Sequence, residues 1–309
     1  MLRQACYSPP GMRILFITAT RLGDAVLSTG ILDHLLRTHP HARITVACGP
    51  VAVGVFARMH NRERTLVIDK RTLDRHWLTL WVQTVGTVWD LVVDLRGSAL
   101  SYLIPTRRRI VLHGGKRPGH KTEQLGQALG LTPPPLPVAW IAPPDGARAA
   151  TLLPDGPPII ALAPTANWSG KLWPPDRFVA LYQALAARIP GARLAIFAGP
   201  GPAERAMAAP VLQALPSAID LVGNLTLPEA SACLARCTLF IGNDSGLMHL
   251  AAAAGIPTLG LFGPTSAREY APAGRRTAVA LAEGPPGKAP MDRLPVAAAL
   301  HAALGLLVP

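Results

Sequence analysis

Asp24 sits in the run TATRLGDAVLSTG, residues 18–30, just after Arg21 and Gly23. An apolar strand-like stretch gives way there to a helix-like one. A glycine at that junction lets backbone approach a ligand closely. The carboxylate beside it suits either a helix cap or a general base. A second run, APTANWSGKLWP, gathers Thr165, Ser169 and Lys171 around a glycine. Two hydroxyls and an ammonium can hold phosphate oxygens, although the GxxxxGK[ST] spacing of a Walker loop is absent and an ordinary loop is the alternative. In the third run, IGNDSGLMHLAAAAG, a short apolar strand leads into Asn243-Asp244-Ser245-Gly246 and then a helix of small residues. The free amides of Ser245 and Gly246 would suit an anion at a helix N-terminus. Asp244 would cap that helix or accept a sugar hydroxyl, and His249 is either a core histidine or a ligand contact. In FAGPGPAE, Gly199 precedes a helix that carries Glu204, a carboxylate placed to take a ribose diol. Last comes TRRRIVLHGGKRPGHK, which clusters Arg107, Arg108, Arg109, Lys116, Arg117 and Lys121. Guanidinium groups bind phosphate and carboxylate bidentately, and a solvated basic face is the plainer alternative.

The elements that must position these groups alternate. Strand-like runs at 13–20, 42–49, 64–69, 90–95 and 109–113 are interleaved with helical patterns, of which 24–38 is the clearest: Leu27, Ile31 and Leu35 recur at helical spacing and Pro40 stops it. A second series follows, with strands at 159–163, 193–198, 219–222, 239–241 and 258–262. Helices lie between those strands, and a last helix falls at 296–307. Alternation of this kind predicts parallel sheets covered by helices. Between the two series, residues 131–158 are rich in proline, and Pro–Pro steps do not continue a helix or a central strand. The expected organisation is a loose tail at 1–11, a first Rossmann-like domain at 12–130, a linker at 131–158, a second Rossmann-like domain at 159–290 and a C-terminal helix at 291–309. Two doubly wound α/β domains of this design are expected to face each other across a cleft at the carboxyl ends of their strands.

Composition narrows the classes. Half the residues are apolar and 16% are charged, so the chain can build cores and is not of the disordered type. The formal net charge is +12, which calls for an anionic partner. No apolar run reaches 18 residues and the N-terminus lacks a signal-like apolar stretch, so a cytoplasmic location is expected. Four cysteines do not form a disulfide framework, and Cys233 and Cys237, four apart, are read as packing residues. The basic segment lacks interleaved aromatics, and helix-turn-helix, zinc-finger and RNA-recognition patterns are absent, so nucleic acid is not the expected partner.

Taken in this order, the motifs resemble glycosyltransferase family 9, the ADP-heptose:lipopolysaccharide heptosyltransferases. The resemblance runs from about residue 13 to 307. It rests on Arg21-Leu22-Gly23-Asp24-Ala25 with Ser28, on Lys171-x-Trp173-Pro174, and on Gly242-Asn243-Asp244-Ser245-Gly246 with His249. Asp94-Leu95-Arg96-Gly97-Ser98 and Gly260-x-Phe262-Gly263-Pro264-Thr265 match as well. It implies a GT-B fold and an inverting, metal-independent transfer needing no cofactor besides the nucleotide sugar. Asp24 would be the base, and Lys171 would support the leaving diphosphate together with Thr165 and the amides of Ser245 and Gly246. Ser169, Gly199, Glu204, Asp244 and His249 would complete the donor site, with Gly223-Asn224-Leu225 along the base pocket. Arg21, Gly23, Arg96, Arg107, Arg109, Lys116 and Arg117 would face an anionic glycolipid acceptor, with the inner-membrane surface as a peripheral partner. The loop before Lys171 lacks the paired acids common in the family, and residues 275–290 are short and lack the cysteines of many relatives, which bears on donor and acceptor identity. The alternatives are an epimerase of the same fold acting on a nucleotide sugar, or a non-catalytic relative that only binds one.

Overall fold

The computed structural model describes residues 11–69, 75–115 and 117–308, so the expected tail, Cys6 and Lys116 lie outside the described residues. The chain divides into two units at Trp140/Ile141.

The first unit begins with β1 (Arg13–Ile17), RILFI, buried at every residue but the first. Unbroken apolar character is what a strand covered on both faces requires. The helix α1 (Leu22–Thr38) follows, then β2 (Arg43–Cys48), β3 (Arg62–Val67), α2 (Arg75–Val85), β4 (Trp89–Asp94), β5 (Thr106–Val111) and α3 (Lys121–Ala128). The five strands are parallel in the order β3-β2-β1-β4-β5. β2 and β4 flank β1, so the order reverses between β1 and β4. The edge strands β3 and β5 are the polar ones, reading RERTLV and TRRRIV. Charge along an edge discourages pairing with another chain.

The second unit carries α4 (Pro143–Leu152), β6 (Ile159–Ala163), α5 (Pro175–Ala186), β7 (Arg193–Ile196), α6 (Pro202–Ala214), β8 (Ile219–Asp220), α7 (Leu227–Leu234), β9 (Leu239–Asn243), α8 (Gly246–Ala253), β10 (Thr258–Phe262), α9 (Ala267–Tyr270), β11 (Thr277–Leu281) and α10 (Val296–Gly305). Its six strands are parallel in the order β11-β10-β9-β6-β7-β8, with the reversal between β6 and β9. α10 belongs to this core: Ala299, Ala303 and Leu306 are buried with Phe178 and Leu181 of α5.

The proline-rich stretch is not one linker. Its first part docks on the first unit: Val138 N–H donates to Thr29 Oγ1 at 2.8 Å, and a Cβ on Gly30 of α1 would stand 2.4 Å from Pro135 O. Only glycine leaves room for that close approach. The next part folds as α4, whose Pro143 and Pro144 occupy the first turn, where no amide proton is needed. Asp145 accepts the Ala142 amide at 2.9 Å and sets the helix start. The second unit therefore begins before residue 159. The apolar edge strand β11 falls inside residues 275–290, where no strand was expected. Among the described residues no helix is long and apolar enough to cross a membrane.

Candidate functional site

In open parallel sheets ligands bind beyond the carboxyl ends of the strands, where strand order reverses. In the second unit that point lies between β6 and β9. The loop after β6 ends in a short 3-10 turn, Ser169–Lys171, and β9 ends at Asn243. The two meet in an ion pair: Lys171 Nζ donates to Asp244 Oδ2 at 2.7 Å and stands 3.5 Å from the Asp244 carbonyl oxygen. Ser245 is the N-cap of α8 and makes no side-chain cap bond, so the expected capping role of Asp244 is not seen; its carboxylate turns to Lys171 instead.

The Lys171 loop is anchored from below. Trp173 is fully buried, stacks edge-on against Phe178 at 5.0 Å, and donates through Nε1 to Leu294 O at 2.9 Å. Its backbone amide donates to Asn243 Oδ1 at 3.1 Å, tying this loop to the end of β9. A cation held on such a base loses little freedom when it meets an anion.

Around this pair, polar atoms are buried without protein partners. Asn243 Nδ2, Ser245 Oγ and Thr265 Oγ1 are such atoms. β9 and β10 lie side by side, Asn243 against Leu261, so all three sit at one end of the sheet. A buried polar group left unsatisfied costs about 1–3 kcal/mol, and a fold that carries several in one place is built for a polar ligand. Thr165 is buried after β6, and His249 is buried in the first turn of α8. Asn243 and Thr265 were not among the expected donor residues. Their positions at strand ends were the available signal.

On the other side of β6, the ends of β7 and β8 converge. A Cβ on Gly199 would lie 3.5 Å from the Glu204 carboxyl carbon, and one on Gly223 would lie 3.4 Å from Pro200 Cα. Gly223 has φ of +72°, a conformation that favours glycine. Glu204 Oε2 is a further buried atom without a partner. Gly199, Glu204 and Gly223 are thus brought together, with Asn224 exposed and Leu225 half-buried beside them. Ser169 is exposed. Cys233 and Cys237 lie apart from this end as buried thiols, pushed up by burial to about 11 and about 12, with Cys237 Sγ donating to Cys233 O at 3.3 Å.

The first unit has an equivalent point between β1 and β4. Leu95 N–H donates to Ile17 O at 2.9 Å, which sets the two strand ends side by side. Arg21 is the extended N-cap of α1, and Asp24 lies in its first turn, half-buried, so Asp24 is not the cap residue itself. Thr18 Oγ1 donates to Ser28 Oγ at 2.8 Å, pinning the loop to α1. Asp94 is fully buried and accepts from the amides of Arg96 and Ser98 at 2.8 Å each and from Ser98 Oγ at 2.5 Å. These bonds hold out Arg96, whose guanidinium lies 5.0 Å over the Trp77 ring. Its Nη1 is buried without a hydrogen-bond acceptor, and burial, opposed by the Asp94 charge, pulls its pKa below the usual arginine range.

The basic segment divides. Arg107 stands back from the carboxyl end, and Arg109 lies two residues short of the last strand residue: β5 pairs Leu91 with Arg108 and Asp94 with Val111. At about 3.3 Å per residue, Arg107 stands about 13 Å back from the end of its strand. There Arg107 pairs with Asp90 at 3.2 Å, and Arg109 lies 5.3 Å over Tyr102. Arg117 lies beyond the end of β5 and donates to His113 O at 3.1 Å; a Cβ on Gly97 would meet His113 Cα at 3.2 Å, so this loop borders the Arg96 turn.

Residues 120–291 match the model of glycosyltransferase family 9 (heptosyltransferase). Lipooligosaccharide heptosyltransferase 2 of Haemophilus influenzae is 34% identical over 134 residues, 41% of this chain and 38% of that protein. Lipooligosaccharide heptosyltransferase 2 of Campylobacter jejuni is 31% identical over 284 residues, 84% of each. The solved E. coli ADP-heptose LPS heptosyltransferase II superposes with a TM-score of 0.75 at 21% identity, over 96% of this chain and 98% of that one. This last likeness shows the GT-B fold. On the family model and the relative matched over 84% of its length together, the chain belongs to glycosyltransferase family 9, the heptosyltransferase family.

Proposed function

We propose that this protein transfers a heptose, with inversion, from ADP-heptose to an anionic lipopolysaccharide-core acceptor in the cytoplasm, and that it does so without a metal ion or further cofactor. The observation that carries the reading is the cluster of buried, unpartnered polar atoms around Lys171 and Asp244 at the strand reversal of the second sheet.

The second unit holds the donor. The diphosphate lies at the N-terminus of α8, against the amides of Ser245 and Gly246 and the hydroxyls of Ser245, Thr165 and Thr265. A bare Asp244 carboxylate would repel it, but the ion pair with Lys171 cancels that charge. An ammonium has three protons, and Lys171 directs one to Asp244 Oδ2 and a long one to the Asp244 carbonyl, so it keeps a donor for a phosphate oxygen. Glu204 accepts the ribose hydroxyls, with Gly199 and Gly223 leaving room for the nucleoside. The first unit holds the acceptor. Arg96 and Arg117 take its anionic groups, and Arg21 and Gly23 frame the base.

In the reaction Asp24 takes the proton of the acceptor hydroxyl as that oxygen attacks the anomeric carbon. The bond from that carbon to the diphosphate breaks, and ADP leaves with the electron pair. Negative charge grows on the phosphate in the transition state, where fixed donors act most strongly.

The test incubates purified protein, EDTA present, with ADP-heptose and a phosphorylated core acceptor. Glycosylated product and ADP in equal amounts are expected. Sugar isomers released from the donor alone would replace this reading with an epimerase, and ADP-heptose binding with no turnover on any core acceptor would overturn the transfer.

A further inference from the structure

We infer that the outer face of α2 and the turn after the 3-10 segment Ala99–Tyr102 form a docking surface for an anionic lipid bilayer. The inference deepens the acceptor half of the proposed function, since a glycolipid is met at a membrane.

α2 reads RHWLTLWVQTV. Its inner side, with His76, Leu80 and Thr84, is buried on the first sheet. Its outer side is apolar too: Leu78 is 60% exposed, Val82 63% and Trp81 36%. These three stand at i, i+3 and i+4, one stripe of a helix. The stripe continues onto the neighbouring turn, because Trp81 Nε1 donates to Leu103 O at 3.1 Å, and Leu103 and Tyr102 are 64% and 50% exposed. A contiguous exposed apolar patch on a protein marks an interaction site.

Charge selects the partner. Arg109 stacks at 5.3 Å over Tyr102 on one flank, and Arg64 donates to Gln83 O at 3.0 Å on the other. The strand that supplies Arg109 carries Arg107 two residues back on the same face, and both are exposed. Apolar side chains and aromatics with polar ends, rimmed by guanidinium groups, match the boundary between acyl chains and anionic headgroups. This accounts for Arg107, which lies back from the carboxyl end of the sheet, and gives Arg109 a place on the same rim.

The experiment is co-sedimentation of the full chain with vesicles of phosphatidylcholine holding phosphatidylglycerol, and with phosphatidylcholine alone. Binding is expected with the anionic vesicles and is expected to weaken as salt rises. Leu78→Asp with Val82→Asp is expected to lower partitioning by about tenfold or more, because it removes the apolar stripe and adds repulsion. Arg64→Glu should weaken binding mainly at low salt. Quenching of tryptophan emission by brominated acyl chains should fall in Trp81→Phe, which keeps the apolar ring, and this variant controls for folding. Wild-type protein that ignores anionic vesicles, or a Leu78/Val82 double variant that binds as well as wild type, overturns the inference. So does a concentration-dependent dimer abolished by that double variant, which would assign the face to a second copy. No donor or acceptor enters the assay, so its failure is distinct from failure of the transfer reaction.

Discussion

The two sheets carry a carboxylate at the same topological place, on the strand across the reversal from each unit's first strand, and use it in opposite ways. Asp94, at the end of β4, accepts three hydrogen bonds from its own loop, at both carboxylate oxygens. Asp244, just past β9, turns its carboxylate to Lys171 among unpartnered polar atoms. The first carboxylate builds a turn that holds out Arg96. The second sets a cation for use. An acid at a strand end is therefore read by what satisfies it: the loop's own amides mark scaffolding, and a partner from another loop, with orphaned donors nearby, marks a ligand site.

Substitutions can break this contrast, beginning with the largest effect expected. Asp24→Asn should lower kcat by about 10²–10⁴ with ADP-heptose affinity unchanged, measured by steady-state kinetics and donor titration. Undiminished turnover would remove the base assignment. Lys171→Ala should lower kcat by about 10²–10³ and weaken ADP binding, because the growing phosphate charge loses a fixed donor and Asp244 is left bare. Normal ADP binding in this variant would place the diphosphate elsewhere. Asp94→Ala should act on stability instead, costing about 3 kcal/mol or more in urea unfolding as buried donors lose their acceptor. If Asp244→Ala is equally destabilising and leaves ADP affinity intact, the contrast between the two acids fails. Glu204→Ala should weaken ADP by about ten- to a hundredfold while sparing an analogue without ribose hydroxyls, since one charged hydrogen-bond partner is worth about 1.5–3 kcal/mol. The thiols act last, and only at alkaline pH. Burial raises Cys48 and Cys237 to about 12 and Cys233 to about 11, from an ordinary 9.0. Unfolded thiols ionise above about 9 while the folded ones stay protonated, so their contribution is complete below pH 9 and is lost as pH rises towards 12. The unfolding midpoint should fall between pH 8 and pH 10.5, and these thiols should label slowly in native protein at pH 8.

Much of the fold was legible because burial writes itself into parallel strands as unbroken apolar runs: RILFI and IIALA identify β1 and β6 by composition alone. The segments misread were those whose local signals conflict with their packing. Pro143 and Pro144 signal a break in a helix interior yet start α4. TAVAL at β11, mostly small side chains close to glycine and proline, does not stand out, and is a strand only because β10 offers its edge.

Residue types and spacing, taken alone, determined the two parallel α/β units, the strand ends that carry the polar groups, and the motif order that marks the family. A strand's period and a helix's start are local, and local chemistry records them. Which polar groups are satisfied was decided only by tertiary structure. That Asp244 faces Lys171, 73 residues away, that Asp94 is spent on its own loop, and that Arg107 lies back along its strand all depend on pairing register and loop course. Those are long-range contacts, set by how apolar surface packs rather than by the residues that do the chemistry.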